Sequence, residues 1–317
     1  MLGNILLWLV LLLVTLGLGW LALRAFRARN ALVKWVGGLL AALLTLVIGL
    51  VTVVALLGLF KLYMPIGSPV KDLTIEITPE RVARGEHLAN TFCVGCHSPT
   101  GDLPMIGGVD LGADLGMPLG QFISVNLTPA GPLAGWSDGE VLRILREGAA
   151  PDGRRLIMMG AARARYMSDE DLYSVIAYLR SQAPVENDTP QPPDSPTLLA
   201  GILAALGMVP IEPPVTGSIS APPMGATAEY GAYVVSFQDC VVCHGVNLDG
   251  NPSSPIVPAG PDLAVVKGWT AEQFLTTFRT GVDPSGHQLS EAMPWRQIAR
   301  LDDVELTAVY EYLISLP

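Results

Sequence analysis

Cys93, Cys96 and His97 in CVGCH, and Cys240, Cys243 and His244 in CVVCH, account for all four cysteines of a 317-residue chain. Two thiols three positions apart, followed at once by an imidazole, suit three chemistries. Such a pair adds across the vinyl groups of haem while the adjacent imidazole reaches the iron from the same turn. A C-x-x-C pair is also half of a zinc site, which needs further ligands to converge on it. On the oxidising side of a membrane the two thiols can instead pair as a disulfide.

An internal repeat favours the first. GWSDGEVLRILREG (135–148) matches GWTAEQFLTTFRTG (268–281) at an offset of 133, and MSDEDLYSVIAYLRS (167–181) matches LDDVELTAVYEYLIS (301–315) at an offset of 134. The two cysteine motifs are offset by 147, so the first copy carries about 14 extra residues between its motif and its Trp, as a loop insertion would give. Equivalent points of a repeat lie in separate units, which argues against a single shared zinc centre.

The elements that must hold these motifs are helical. Leu172, Val175, Ile176 and Leu179 follow the i, i+3, i+4, i+7 rule, as do Leu306, Val309, Tyr310 and Leu313, so each closing segment turns one apolar stripe to a core. Ser168 and Asp302 stand at N-cap positions, and Glu305 completes a capping box. Ahead of each cysteine motif, ERVARGEHLANTF and AEYGAYVVSFQD also read as helices, with Gly85 and Gly231 placed to allow close crossing. Between the units, residues 184–225 hold ten prolines and form a linker. Its apolar stretch TLLAGILAALGMV is too short to span a bilayer and is expected to pack as a helix on a domain or a partner.

The N-terminal part differs. Residues 1–23 and 35–60 are uncharged, and each exceeds the roughly 20 apolar residues that cross a hydrocarbon core. Arg24, Arg27, Arg29 and Lys34 between them carry no acidic neighbour, which by the positive-inside rule puts this loop in the cytoplasm and all that follows residue 60 outside. A signal peptide would carry its charge before the apolar run, and nothing before Arg24 is charged, so a retained hairpin is expected. All 29 acidic residues lie at or beyond Asp72, while six of the 19 Lys and Arg lie at or before Lys71. The exterior part therefore carries a formal charge of −16 against −10 for the whole chain, which argues against nucleic acid and suits either simple solvation or docking of a basic redox partner. The organisation expected is a transmembrane hairpin over 1–71 (spans about 4–23 and 35–60), units at 72–183 and 226–317, and the linker at 184–225.

With these features the chain resembles the class I cytochrome c family, specifically membrane-anchored dihaem members with tandem domains. The resemblance covers about residues 79–183 and 226–317. It rests on the two C-x-x-C-H motifs, on NLTP with GWS (126–137), DGRRL (152–156), AYLRS (177–181) and GHQLSEAMPW (286–295). It implies an all-α fold, a small helical bundle around each of two covalently attached haem c groups behind two transmembrane helices. His97 and His244 would be the proximal iron ligands, and a Met ahead of each last helix the distal one. Met293, in MPW, fits that pattern. In the first unit LIMMGAARARYM departs from it and offers Met158, Met159 and Met167. Met159 stands eight residues before Met167 as Met293 stands eight before Leu301, so Met159 is the expected ligand, with Met158 as the alternative.

The remaining motifs carry less. His87 and His287 suit surface or satisfied structural roles, Trp136 and Trp269 occupy matching positions that suit core packing, and the sequon Asn126–Thr128 falls where a structural part in the haem loop is expected. Glycine-rich GGVDLGADLG (107–116) lacks the lysine of a phosphate loop and belongs to that same loop.

Iron held by Met and His has no open position for a substrate, so the chemistry expected is electron transfer rather than catalysis. The resemblance implies a non-catalytic subunit of an oxidoreductase complex in a bacterial cytoplasmic membrane, with its haem domains on the outer face. As a respiratory or photosynthetic subunit it would serve a soluble carrier or terminal oxidase; the alternative is the cytochrome subunit of a membrane-associated dehydrogenase. A dihaem peroxidase, which needs one open iron and a nearby acid or base, fits least. The two spans hold no acidic residue or histidine that would mark a quinone or proton site and read as an anchor or a docking surface for other membrane subunits.

Overall fold

The computed structural model describes all residues except 114, 191–193, 210–212, 214, 216 and 252–257. Pro192, Pro193, Pro210 and Pro214 of the linker and Asp114 of the glycine-rich stretch thus lie outside the described residues. Helices α1 (Leu2–Phe26) and α2 (Gly38–Tyr63), the latter entered through a π-helical turn at Val33–Gly37, pack antiparallel as a hairpin. Both are long and apolar enough to cross a membrane, and most of their apolar side chains are exposed rather than buried within the protein. Polar groups still lock them together: Trp8 Nε1 donates to the Thr52 carbonyl at 3.0 Å, and the Thr15 and Thr52 hydroxyls lie 3.1 Å apart.

Two helical units follow. The first holds α3 (Pro79–Leu88), α4 (Val94–His97), α5 (Asp138–Glu147), α6 (Ile157–Ala161) and α7 (Asp169–Ser181). After α8 (Leu198–Ala205), the second holds α9 (Ala228–Phe237), α10 (Cys240–His244), α11 (Ala271–Thr280), α12 (Trp295–Ile298) and α13 (Asp303–Ser315). Side-chain caps start the equivalent helices in both: Ser137 and Thr270 form capping boxes with Glu140 and Gln273, while Ser168 and Asp302 accept from the third residue of α7 and α13. In each unit the helix ahead of the cysteine motif crosses the closing helix at a glycine. A Cβ on Gly85 would lie 1.9 Å from the Ser174 carbonyl oxygen, and one on Gly231 1.9 Å from that of Ala308.

The extra residues of the first unit have a use that sequence alone did not show. They form β1 (Gly120–Phe122), which pairs antiparallel with β2 (Asp194–Pro196) from the linker, a two-stranded sheet in a mainly helical chain. Leu119 and Phe122 pack there with Ala200 and Leu203 of α8. The linker helix then lies against α2, where Gly58 meets Gly201 so closely that a Cβ would fall 2.2 Å from the Gly201 carbonyl oxygen. Lys61 donates to the Ala204 carbonyl in the last turn of α8 at 2.9 Å, and Asn4 of α1 donates to Tyr63 and to the Pro196 carbonyl, each at 2.8 Å. Of the other hairpin glycines, Gly19, Gly38 and Gly49 face the opposite helix, while Gly17 and Gly37 face nothing within 4 Å.

The two units do not stand apart. One hydrophobic core runs through both, with Phe92 and Phe237 meeting edge to face at 6.5 Å between ring centroids. Because the glycine crossings leave no room for a side chain, Gly231→Val is expected to lower the unfolding free energy by about 1–3 kcal/mol, the usual cost of overpacking. Denaturant titration followed by visible absorption checks this; an unchanged midpoint would show that α9 and α13 can separate freely.

Candidate haem sites

Each C-x-x-C-H motif is a short helix whose histidine is buried and oriented by a backbone carbonyl. His97 Nδ1 lies 3.0 Å from the Val125 oxygen, and His244 Nδ1 lies 2.8 Å from the Pro261 oxygen. A ring nitrogen committed in this way leaves Nε2 as the donor toward a metal, and the partner fixes the ring's orientation. Burial pushes the His97 imidazole below its ordinary value, against the pull of the Val125 carbonyl, and so favours the neutral ring that coordination requires. Val125 is itself held in place. Buried Asn126 bridges the Val185 carbonyl, at 2.8 Å, and the Thr128 amide and hydroxyl, so the formal sequon is a structural brace. The glycine-rich stretch meets the same site, with the Gly107 amide donating to the His97 carbonyl at 2.8 Å.

None of the four cysteines is paired in a disulfide. Burial raises Cys93 and Cys240 to about 12 and Cys96 to about 11. Cys96 is exposed, so water tempers the shift there. Among the described residues, the grouping of three metal-ligating atoms within 4.8 Å of one another is His87, Asp302 and Glu305, which includes no cysteine. Neither motif therefore gathers its donors as a zinc centre does.

The methionines separate by environment. Met159, in α6, packs on the core shared by the haem motifs, and Met293, just before α12, does the same. Met158 instead packs on the cluster of β1 and α8. Met167 is fully buried core. In both units the loop bearing the methionine is pinned at its start by an equivalent bond, Leu156 amide to Gly148 carbonyl at 2.7 Å and Leu289 amide to Gly281 carbonyl at 2.8 Å. Trp136 and Trp269 pack on the core from matching positions, His287 is exposed, and the buried side-chain donors Gln238 Nε2 and Trp295 Nε1 have no protein partner. Orphan N–H groups two residues from Cys240 and two from Met293 fit a prosthetic group that carries carboxylates.

The seam between the units was not legible in the sequence. Aligning Gly85 with Gly231 makes Arg84 and His87 the counterparts of Tyr230 and Tyr233, and all four cross the seam in a pseudo-two-fold arrangement. Arg84 binds Asp171 of its own unit and Glu305 of the other, both at 2.9 Å, while His87 Nε2 lies 2.6 Å from Glu305. In return Tyr233 donates to Asp171, and the Tyr230 hydroxyl accepts from Arg84 at 3.3 Å. Each methionine loop also rests on the opposite motif. Arg163 donates to the Ser236 carbonyl at 2.7 Å, and Arg300 donates to Gly101 and Asn90 and pairs with Asp102.

Two helical units, each with a buried C-x-x-C-H histidine and a methionine packed on the shared core, fit a c-type haem protein. The chain belongs to the cytochrome c family, whose defining pattern, described as Cytochrome c, matches residues 82–183 and 228–317. As a member it binds haem c covalently and transfers electrons. It is 32% identical over 121 residues to the gluconate 2-dehydrogenase cytochrome c subunit of Pantoea cypripedii, covering 35% of this chain and 26% of that one. With a nicotinate dehydrogenase subunit of Pseudomonas putida it shares 31% over 142 residues, covering 37% and 12%. With the alcohol dehydrogenase (quinone) cytochrome c subunit of Gluconacetobacter polyoxogenes it shares 25% over 209 residues, covering 61% and 40%. The chain thus spans 40% or less of the length of these relatives.

Glu305 has no exposed surface. Burial alone would raise its carboxyl, but the hydrogen bonds and charges of His87 and Arg84 outweigh this and hold it below the ordinary glutamate value of 4.5. Its contribution to stability is therefore complete above pH 4.5 and lost as pH falls below it. Glu305→Ala, which leaves Arg84 its pair with Asp171 but removes the buried partner it shares with His87, is expected to cost about 1–3 kcal/mol at neutral pH. The variant should also lose part of the acid-induced fall in stability; an acid limb identical to wild type would remove Glu305 from this role.

Proposed function

We propose that this protein is a membrane-anchored dihaem electron conduit serving a membrane-associated dehydrogenase. Cys93, Cys96, Cys240 and Cys243 would tether two haem groups, with His97 and Met159 as iron ligands in the first unit (72–183) and His244 and Met293 in the second (226–317). When bound, haem c supplies a one-electron carrier at each site. The chain's own residues do the rest. Val125 and Pro261 hold the imidazoles in register and the shared core excludes water, while Met159 and Met293 would serve as the second iron ligands, a donor type that would raise the potential and disfavour substrate binding. The observation that carries this reading is the pair of imidazoles, each buried and held through Nδ1 to a backbone carbonyl, in units that each pack a methionine on the shared core.

The hairpin would anchor the protein in the cytoplasmic membrane, with the basic turn at residues 24–34 inside and both haem units outside. The names of the relatives support a dehydrogenase partner over a respiratory or photosynthetic complex, and they give a peroxidase no support. The acidic exterior suits a basic soluble carrier or oxidase as acceptor.

Purified full-length protein should carry two haem groups per chain by mass and by pyridine haemochrome absorption; one group would overturn the dihaem assignment. Met159→Ala is expected to lower the potential of one haem and let its reduced form bind carbon monoxide, and Met293→Ala to do so at the other, while Met158→Ala changes neither. A carbon monoxide response in Met158→Ala alone would transfer the ligand role to Met158.

A further inference from the structure

Asp239, which the ligand assignment does not use, lies where the two haem motifs meet. It directly precedes Cys240 with φ 57°, a left-handed conformation that Asp and Asn tolerate better than other side chains. As a result its carboxylate leaves its own helix and enters the seam. There it accepts from the Arg163 backbone N–H at 3.3 Å, four residues beyond Met159. Its charge raises the thiols of Cys240 and Cys243 in its own unit and of Cys96 in the other. One half-buried carboxyl is therefore near enough to act on attachment residues of both motifs. The titratable and charged groups acting on it are the Arg163 guanidinium and those three thiols, and thioether formation takes the thiols out of titration.

We propose that Asp239 takes up a proton when the paired haem centres are reduced. The proposal rests on the dihaem reading above. A negative charge enclosed in protein favours the oxidised, more positive form of any redox centre close to it, and an added electron in turn makes that negative charge costlier. The balance is simple. One electron from a redox mediator, or from the donor subunit in the assembled complex, reduces a ferric centre to ferrous, and one proton from water forms an O–H bond on the Asp239 carboxylate. Burial raises this carboxyl to about 6, over the opposing pull of the Arg163 N–H and charge, so the exchange falls within reach of ordinary pH. By contrast Asp102, which pairs with Arg300 at the related contact, is exposed.

The test is a mediated redox titration of the full-length haem-loaded protein from about pH 5 to about pH 8, a range that brackets the carboxyl. In wild type the reduced-to-oxidised ratio at fixed potential should fall severalfold as pH rises through the region of 6, bounded by the roughly tenfold per pH unit that one proton per electron allows. Asp239→Asn keeps the acceptor for Arg163 and tolerates the left-handed backbone. It should be flat there and retain at high pH the ratio wild type shows only in acid. Arg163→Gln, which removes the cation holding the carboxyl down, should move the break to higher pH. A wild type without a slope, an Asn variant that keeps it, or a break that Arg163→Gln leaves in place would each overturn the proposal. Haem content and the low-spin visible spectrum of the same samples test the underlying reading separately. Their failure in wild type would overturn the dihaem assignment, whereas a flat titration with both intact would overturn the proton coupling alone.

Discussion

The backbone contacts at Gly85 and Gly231 are the constraint on which the rest depends. Only where one helix lacks a side chain can another come close enough to touch its carbonyls, and in both units that contact fixes the helix leading into the cysteine motif against the closing helix. Every downstream position inherits the crossing. It places the motif histidine under its carbonyl partner, turns the methionine loop back onto the core, and brings residues 84, 87, 230 and 233 to the face where the units meet.

That face changes what the repeat means. Two copies of a small helical unit need not interact, and a proline-rich connection suggests independence. Here the copies share one core, exchange charged contacts through Glu305 and Asp171, and rest their methionine loops on each other's motifs. An electrostatic change at one centre is then never local, because the residues that shape it belong partly to the other.

Much of this was legible in the residues. The hairpin followed from two uncharged runs, the helices from 3.6-residue periodicity and caps, and the crossing glycines from their place before each motif. Counting back to the closing helix singled out Met159 as the proposed ligand, and Met159 and Met158 pack on different clusters. The seam was not readable, since Arg84 and Glu305 are 221 residues apart and no local pattern pairs them. Nor was the purpose of the insertion, whose short strand needs a partner from the linker. Glycine in the spans was a poor guide: Gly58, at the closest approach, looked no different from Gly17, which touches nothing. The one signal passed over was the acid beside a cysteine in QDCVVCH, which has no counterpart in TFCVGCH.

The short helix α8 has a mechanical consequence. Seated on Gly58, capped by Lys61 and preceded by a strand that joins the first unit, it turns what composition describes as a leash into a bracket. A carrier on a leash delivers electrons by swinging between partners, at a rate set by the length of its tether. A bracketed carrier cannot swing. With the hairpin in a bilayer its first unit stands at a fixed height and orientation, so donor and acceptor must come to it, and throughput is governed by how long each visitor stays.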